Sequence, residues 1–551
     1  MNQRVRGLSV LLALASAPAC VSSPGPATGL AAPTAQAGHV FEDENGNGRM
    51  DPGEAGVAGV AVSDGRAIVR TDATGRYALH AAGGDMVFVV KPAGWAVPAG
   101  PGGLPSFWKR APGAQASARN AAALDFALAR EGMAQLPGSD LEVLVFADPQ
   151  VGSARQVDYY ARDVIDGLRH GDGRIAAAGA RAAAPAQLGL TLGDVVDDAP
   201  ALYAAVNAVT ASLGVPWLHA PGNHDLDAGD SDAAASASYR RVYGPDTFAW
   251  EARDASFVML DDVVALPGQR PAYVGGLRED QWSFLQAYLA THPRDRLLVL
   301  GMHIPLFDTA APGRAPTFRS ADRARLFALL RPFQRVLVLT GHRHTQRHYR
   351  HGTADGWQGA QPLHEYNVGA VSGAFWSGKA DAAGIPDATM DDGTPNGHAR
   401  LRIAPDGGYR LSWHPARLPP DDAASTAAMS VHAPKVLRRG AYPAWGAYAN
   451  VYMGEADTRV EARVDGGAWQ PMQRVLQPDP RLLLENARDD TSAVLRGFDR
   501  SPEAEPSQHL WRIALPTTRA AGDHLLEVRA FDRWHGEQRA RTSYRLDDAE
   551  P

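Results

Sequence analysis

Apolar positions along this chain change rhythm twice. From His39 to about Arg130 they fall in short alternating runs broken by Gly and Asp, and 57–62, 67–71, 77–80 and 86–91 read as strands of a small β-sandwich. From about Leu141 to Arg350 the runs lengthen and lose their alternation. Segments 141–147, 188–192, 217–220, 257–260, 297–300 and 336–339 have the continuous apolar character of buried strands. Between them, 156–169, 201–213, 279–292 and 321–330 have helical spacing, with Ser320 placed to cap the last. This alternation predicts an α/β layered core with helices mainly on the outside. From roughly Tyr366 the chain is again rich in strands and turns. Segment 378–397 reads as long and irregular, and 451–455, 460–464, 525–531 and 542–546 read as strands of a second sandwich.

The fold expected is therefore multidomain: a central α/β sandwich flanked by an N-terminal β-sandwich and a C-terminal β-rich domain. The 551 residues support three or four domains with ample core. Hydrophobic residues at 45% and charged residues at 21% exclude a disordered chain, a collagen-like repeat and a multi-span membrane protein. A net charge of −7 without long charged runs gives no nucleic-acid-binding signature and no attraction to an anionic membrane. Only 4 of the 54 basic residues are Lys, a bias that coding composition explains better than function.

The single cysteine permits no intrachain disulfide and no thiolate metal cluster. It is Cys20, and it follows a basic start (Met1 to Gly7) and an apolar stretch, 8–19, that is too short to span a bilayer. Residues 1–19 thus read as a signal peptide and 20–38 as a Pro-, Ala- and Ser-rich linker. Two processing routes fit. Ala17 and Ala19 suit ordinary signal peptidase, while Cys20 resembles the lipidated cysteine of a lipobox. The protein is expected in the periplasm or outer cell envelope, free or lipid-anchored at Cys20, with no transmembrane span after signal removal.

In the N-terminal region, 39–130, side-chain oxygens recur at Asp43, Asn45, Asn47, Asp51 and Glu54, with Gly48 in the sharp turn and the Arg49 carbonyl between them. That is calcium-loop spacing, in which alternate oxygens wrap a hard cation. No amphipathic helix flanks it, so a structural calcium fits better than a switch.

The polar residues that follow the core strands form a series: Asp148-Pro149-Gln150, Gly193-Asp194 with Asp197, Gly222-Asn223-His224-Asp225, His303, and Gly341-His342-Arg343-His344. In open α/β sheets such loops converge on one edge. Asp148, Gln150, Asp194, Asn223, His303, His342 and His344 would meet there. Oxygen and imidazole donors without thiolate suit two divalent transition-metal ions such as Mn, Fe, Zn, Co or Ni. Only two of the seven are charged, so two such ions would keep a net positive charge, as an anionic phosphate requires. Each dipeptide alone is an ordinary turn or cap; their order, each directly after an apolar strand, is what makes the set specific.

These blocks resemble those of the calcineurin-like metallophosphoesterases: Asp-x-His, Gly-Asp-x-x-Asp, Gly-Asn-His-Asp/Glu, His and Gly-His-x-His. One position departs, since Gln150 stands where the family has its first histidine. The resemblance implies that Asp148, Gln150, Asp194 and His344 hold one metal and Asp194, Asn223, His303 and His342 the other. His224 would meet the leaving-group oxygen and Asp197 would orient it. The flanking regions, with Gly384-Ile-Pro and the 392–397 run, are similar to those of bacterial three-part members, giving a core over 139–365 and an accessory domain over 366–551. The implied activity is metal-dependent hydrolysis of phosphate esters, as a phosphatase or a phosphodiesterase, by a metal-bridged hydroxide attacking phosphorus in line. Arg343 could reach a substrate phosphate or pair with a surface carboxylate. A rival reading is a catalytically weak or inactive cell-envelope binding or scaffold protein, and Gln150 is the feature in its favour.

Overall fold

A computed structural model describes residues 35–80, 84–111, 123–131, 139–169, 186–310, 314–419, 422–442 and 445–548. The signal-peptide and Cys20 expectations lie outside the described residues. Among those described, no helix is long and apolar enough to cross a membrane.

Two sheets make the centre. In the first, parallel strands Leu141–Phe146, Leu188–Leu192 and Trp217–Ala220 are joined by the antiparallel hairpin Gly397–Ile403 and Tyr409–Pro415. In the second, Ala255–Met259, Leu297–Gly301, Val336–Thr340 and Leu363–Asn367 run parallel, with antiparallel edges Phe248–Glu251 and Arg347–His351. Alternate side chains of a strand face opposite ways. Val143 and Val145 accordingly pack with Val258, Val299 and Leu337 of the second sheet. Leu144 and Phe146 pack instead with Val157, Tyr160, Tyr203 and Val206 of covering helices.

Helices Glu279–Ala290 and Ser320–Leu330 bring Trp282, Phe284, Leu326 and Phe327 into the same core as the second sheet. The first predicted helix is one continuous run with a π-helical turn at Tyr160–Ile165 between Ala154–Tyr159 and Asp166–Arg169. Ser320 is not a cap. It is the first helical residue, after Arg319 in the capping position.

The core sheet also passes the boundary expected at 365/366. Strand 397–403 carries Ala399, Leu401 and Ile403, all fully buried, and adds to the edge left by Leu141–Phe146. These apolar residues make it a core strand although it follows the irregular segment.

The N-terminal region forms two four-stranded sheets that share a core with the centre. Phe88 meets Phe284 at 5.6 Å and Phe107 meets Phe248 at 4.8 Å. The C-terminal region forms a four-stranded and a five-stranded sheet around a core of its own. Its first long strand is Gly446–Val451, so the strand expected at 451–455 is a turn; Gly454 abuts the Trp511 ring there. Helix Pro480–Thr491, capped by Asp479, was not legible as a helix in the apolar pattern, because it buries little besides Leu482.

Candidate metal centre

All the parallel strands of both sheets end at one rim, and the polar loops leave from there. The first loop turns sharply: Asp148 and Gln150 have φ of 50° and 41°, and Asp194, His342 and His344 have 47°, 71° and 48°. Left-handed backbone at five non-glycine residues is costly and collects at sites whose surroundings enforce it. Glycine is required beside them. A Cβ at Gly222 would lie 2.2 Å from Asp194 Oδ1, and one at Gly193 would lie 2.4 Å from His303 Nδ1.

His303 is wholly buried and donates from Nδ1 to the Leu192 carbonyl at 2.8 Å, which leaves Nε2 to face the cluster. Around Nε2 stand Asn223 Oδ1 at 3.0 Å, His342 Nδ1 at 3.2 Å and Asp194 Oδ2 at 3.3 Å. Asp194, His303 and His342 have donor atoms close enough together to share one ion. His344 donates from Nδ1 to the Gly373 carbonyl at 2.7 Å, and its Nε2 lies 3.6 Å from Asp148 Oδ1. Gln150 completes this second half. Its backbone N–H donates to the Asp194 carbonyl, and its side-chain Oε1 is buried with no hydrogen-bond partner. A buried, orphaned carbonyl oxygen is costly unless something accepts its lone pairs. A hard or borderline cation would do so, and the donor set around it fits one.

Electrostatics agree with that fit. Burial pushes the His342 and His344 imidazoles down to about 3 and about 4, so both keep the neutral ring that a metal ligand needs. Burial alone would lower His303 as well, but Asp194, Asp148 and Asp262 outweigh it and push it up to about 10. Burial pushes Asp148 up to about 8; for Asp194 the same penalty is outweighed by His303 and His224, which hold it below the usual carboxylate range. Burial thus disfavours charge on His342, His344 and Asp148, while His303 and Asp194 favour each other's charged form.

His224 stands at the rim, about a third exposed, with its backbone N–H on Asp194 Oδ1 at 2.8 Å. Its Nδ1 lies 3.2 Å from Asp197 Oδ1 and 3.1 Å from Asp198 Oδ1. Asp197 is thus where the sequence places it, while Asp198 is a second carboxylate the motif did not mark. Two further carboxylates are structural: Asp225, whose bracing role its motif does not reveal, and Asp262, which no motif marks. Asp225 accepts from Gly222 N, Val195 N, Val196 N and the Tyr203 hydroxyl, tying two ligand loops together. Asp262 accepts from His303 N and Ile304 N at 2.9 Å each.

Trp376 is fully buried and donates to the Pro149 carbonyl, so it packs under the first loop. In the 391–397 run, Asp392 accepts from Gln346 N and meets His509 Nε2 at 3.1 Å, joining core and C-terminal region. Arg343 lines a separate pocket described below. The 43–54 loop is closed on itself: Asp43 accepts from Gly46, Asn47 and Gly48 N–H groups, Asn45 and Asn47 donate to Asp51, and Glu54 accepts from Glu44 N and Asp51 N. Arg49 donates its N–H to Asn47 Oδ1.

The ends of the chain match two family profiles. Residues 44–131 match the N terminal of calcineurin-like phosphoesterase, and residues 365–538 match the C terminal of calcineurin-like phosphoesterase. By these two matches the chain carries regions similar to the N terminal and the C terminal of calcineurin-like phosphoesterases. No curated protein matches it. Solved structures with similarity include purple acid phosphatase PPD1 from yellow lupin (Lupinus luteus), at 13% identity and TM-score 0.35, covering 51% of this chain and 52% of that one. The chain thus spans about half the length of the lupin protein. Phosphopantetheinyl hydrolase from Mycobacterium tuberculosis is similar at 12% identity and TM-score 0.26, over 42% of this chain and 91% of that one. The protein TT1561 of Thermus thermophilus is similar at 10% identity and TM-score 0.28, over 51% of this chain and 100% of that one. These are distant likenesses, and the likeness to calcineurin-like phosphoesterases rests on the two terminal matches.

Proposed function

We propose that the protein is a hydrolase of phosphate esters that works with two divalent transition-metal ions. Asp148, Gln150, Asp194 and His344 would hold one and Asp194, Asn223, His303 and His342 the other. The observation that carries this reading is the convergence of Asp194, Asn223 and His342 donor atoms on His303 Nε2, beside the orphaned Gln150 oxygen. Such ions supply Lewis acidity, lowering the pKa of water and neutralising charge on phosphate oxygens.

The chain's own residues do the rest. Leu192 and Gly373 carbonyls fix the tautomers of His303 and His344, so their Nε2 atoms stay available. Asp197 and Asp198 hold the Nδ1 side of the His224 ring, leaving Nε2 to give a proton to the departing alkoxide. His224 acts through solvent-exposed space in front of the cluster, where a substrate can enter. The ligand set is shared by monoesterases and diesterases, and pocket shape makes that choice.

We also place the protein in the periplasm or outer envelope, on the strength of its first twenty residues, and assign a structural calcium to the 43–54 loop on its oxygen spacing. The hydrolase reading is tested by assaying an aryl phosphate and an aryl phosphodiester with Mn, Zn, Co and Ni after chelation. Turnover that is lost on chelation and restored by at least one metal supports it. Metal-free, inactive protein that binds a glycan or another protein would favour the scaffold reading.

A further inference from the structure

Beside the metal centre lies a pocket of about 190 Å³, several times the volume a water occupies in the liquid. Its walls come from the core, with Phe307, Arg343, Gln346 and Arg347, and from later segments, with Asp391 and Gln508. Arg343 connects it to the chemistry. It stands between two proposed ligands, and its charge acts on His342 and Tyr273 on one side and on Asp391 and Arg347 on the other.

The pocket sets two guanidinium groups, Arg343 and Arg347, beside the carboxyl groups of Asp391, Asp392 and Glu505. Among the described residues, no carboxylate lies within ion-pair distance of the guanidinium of Arg343 or of Arg347. Arg347 is held flat by the rings of Phe307 and Tyr349, 4.3 and 5.1 Å away, and burial lowers its proton affinity. A largely desolvated guanidinium with aromatic stacking and no counter-ion is suited to bidentate recognition of an anionic group. Gln346 is 1% exposed, and its Nε2 has no hydrogen-bond partner. Asp391 has a buried Oδ1 without a partner, and burial, Asp392 and Glu505 push this carboxyl up to about 8. Asp392 is occupied by His509 and Gln346 N, and Glu505 is exposed to water at the rim.

We propose that this pocket is a second substrate subsite, taking a second anionic oxygen group, phosphate or carboxylate, carried on the organic part of the phosphate ester. The inference rests on the hydrolase reading for its link to turnover. It also gives the C-terminal region a role, since Gln508 and the Glu505 backbone contact on Asp391 form the outer wall.

The test uses the full chain loaded with metal. Hydrolysis of alkanediol bisphosphates with three to six carbons is compared with that of the matching monophosphates, in the native protein, Arg347→Gln and Arg347→Lys. The native protein should prefer the best-fitting bisphosphate by about tenfold in kcat/KM, the scale of a charge-assisted pair. Arg347→Gln should abolish that ratio and Arg347→Lys should restore part of it. Gln508→Leu, on the outer wall, should lower it without removing it, which guards against a misfolded Arg347 variant. Replacing the bisphosphates by propane-1,3-bisphosphonate in calorimetry gives a readout without turnover. Arg347-dependent binding by an inactive protein would keep the subsite and overturn the hydrolase reading. Normal monophosphate turnover with no bisphosphate preference at any length, and bisphosphonate binding indifferent to Arg347, would overturn the subsite alone.

Discussion

His303 Nε2 lies 3.2 Å from His342 Nδ1, and the same His303 nitrogen is 3.3 Å from Asp194 Oδ2. Lone pairs held this close repel unless a proton or a cation stands between them. Asp194 also faces the other half of the site, where its charge acts on Asp148 and His344.

Asp194→Ala should therefore cost both metals, not one. Elemental analysis of the purified variant should find less than a tenth of the native content, with turnover lost in proportion. Stoichiometric metal with full activity would remove Asp194 from its bridging role.

His224→Ala should separate binding from chemistry. Its ring touches Asp197 and Asp198 rather than the His303 cluster, so metal content should stay near native while turnover falls about 10²- to 10⁴-fold, the range for a lost general acid. The loss should shrink for substrates with a good leaving group, which need no proton. Equal loss of metal and turnover would make His224 a ligand.

Asp225→Ala should act on stability first. The carboxylate satisfies three buried N–H groups and the Tyr203 hydroxyl, and removing it strands them all. We expect a loss of about 3 kcal/mol or more in denaturant unfolding, set by the 1–3 kcal/mol cost of each buried unsatisfied group. Asp225→Asn should recover part of it.

Acid should destabilise the fold through His219. Burial lowers its imidazole to about 3, both ring nitrogens lack partners, and Tyr243 packs on it at 4.3 Å. The unfolded chain takes up this proton below about pH 6.5 while the folded one does not. Stability from this residue is thus intact above pH 6.5 and falls by about 1.4 kcal/mol per pH unit as pH drops toward 3. His219→Leu should flatten that limb of a stability–pH curve. An unchanged slope would mean that His219 is charged in the folded state.

Much of this site's geometry was legible in the sequence because each proposed ligand follows an apolar strand, and parallel strands deliver their carboxyl ends to one rim. Asp148, Asp194, Asn223, His303 and His342 meet for that reason. Asp198 is not marked by any motif, and Asp225 stands in the Gly-Asn-His-Asp block without its bracing role being legible, since a carboxylate whose partners are backbone amides or a neighbouring loop leaves no spacing pattern. Strand 397–403 was missed as part of the core for a related reason: its partner is Leu141–Phe146, more than 250 residues earlier. Helix Pro480–Thr491 escaped because Leu483 and Leu484 are exposed and the usual apolar stripe is absent.

The central claim is that two metals share this ligand set, and the most direct test is the metal-to-protein ratio of fully active protein, measured as metal is added back after chelation. The account predicts activity that rises to a plateau at two ions per chain. Full phosphate-ester hydrolysis with one ion, or with none, would contradict it.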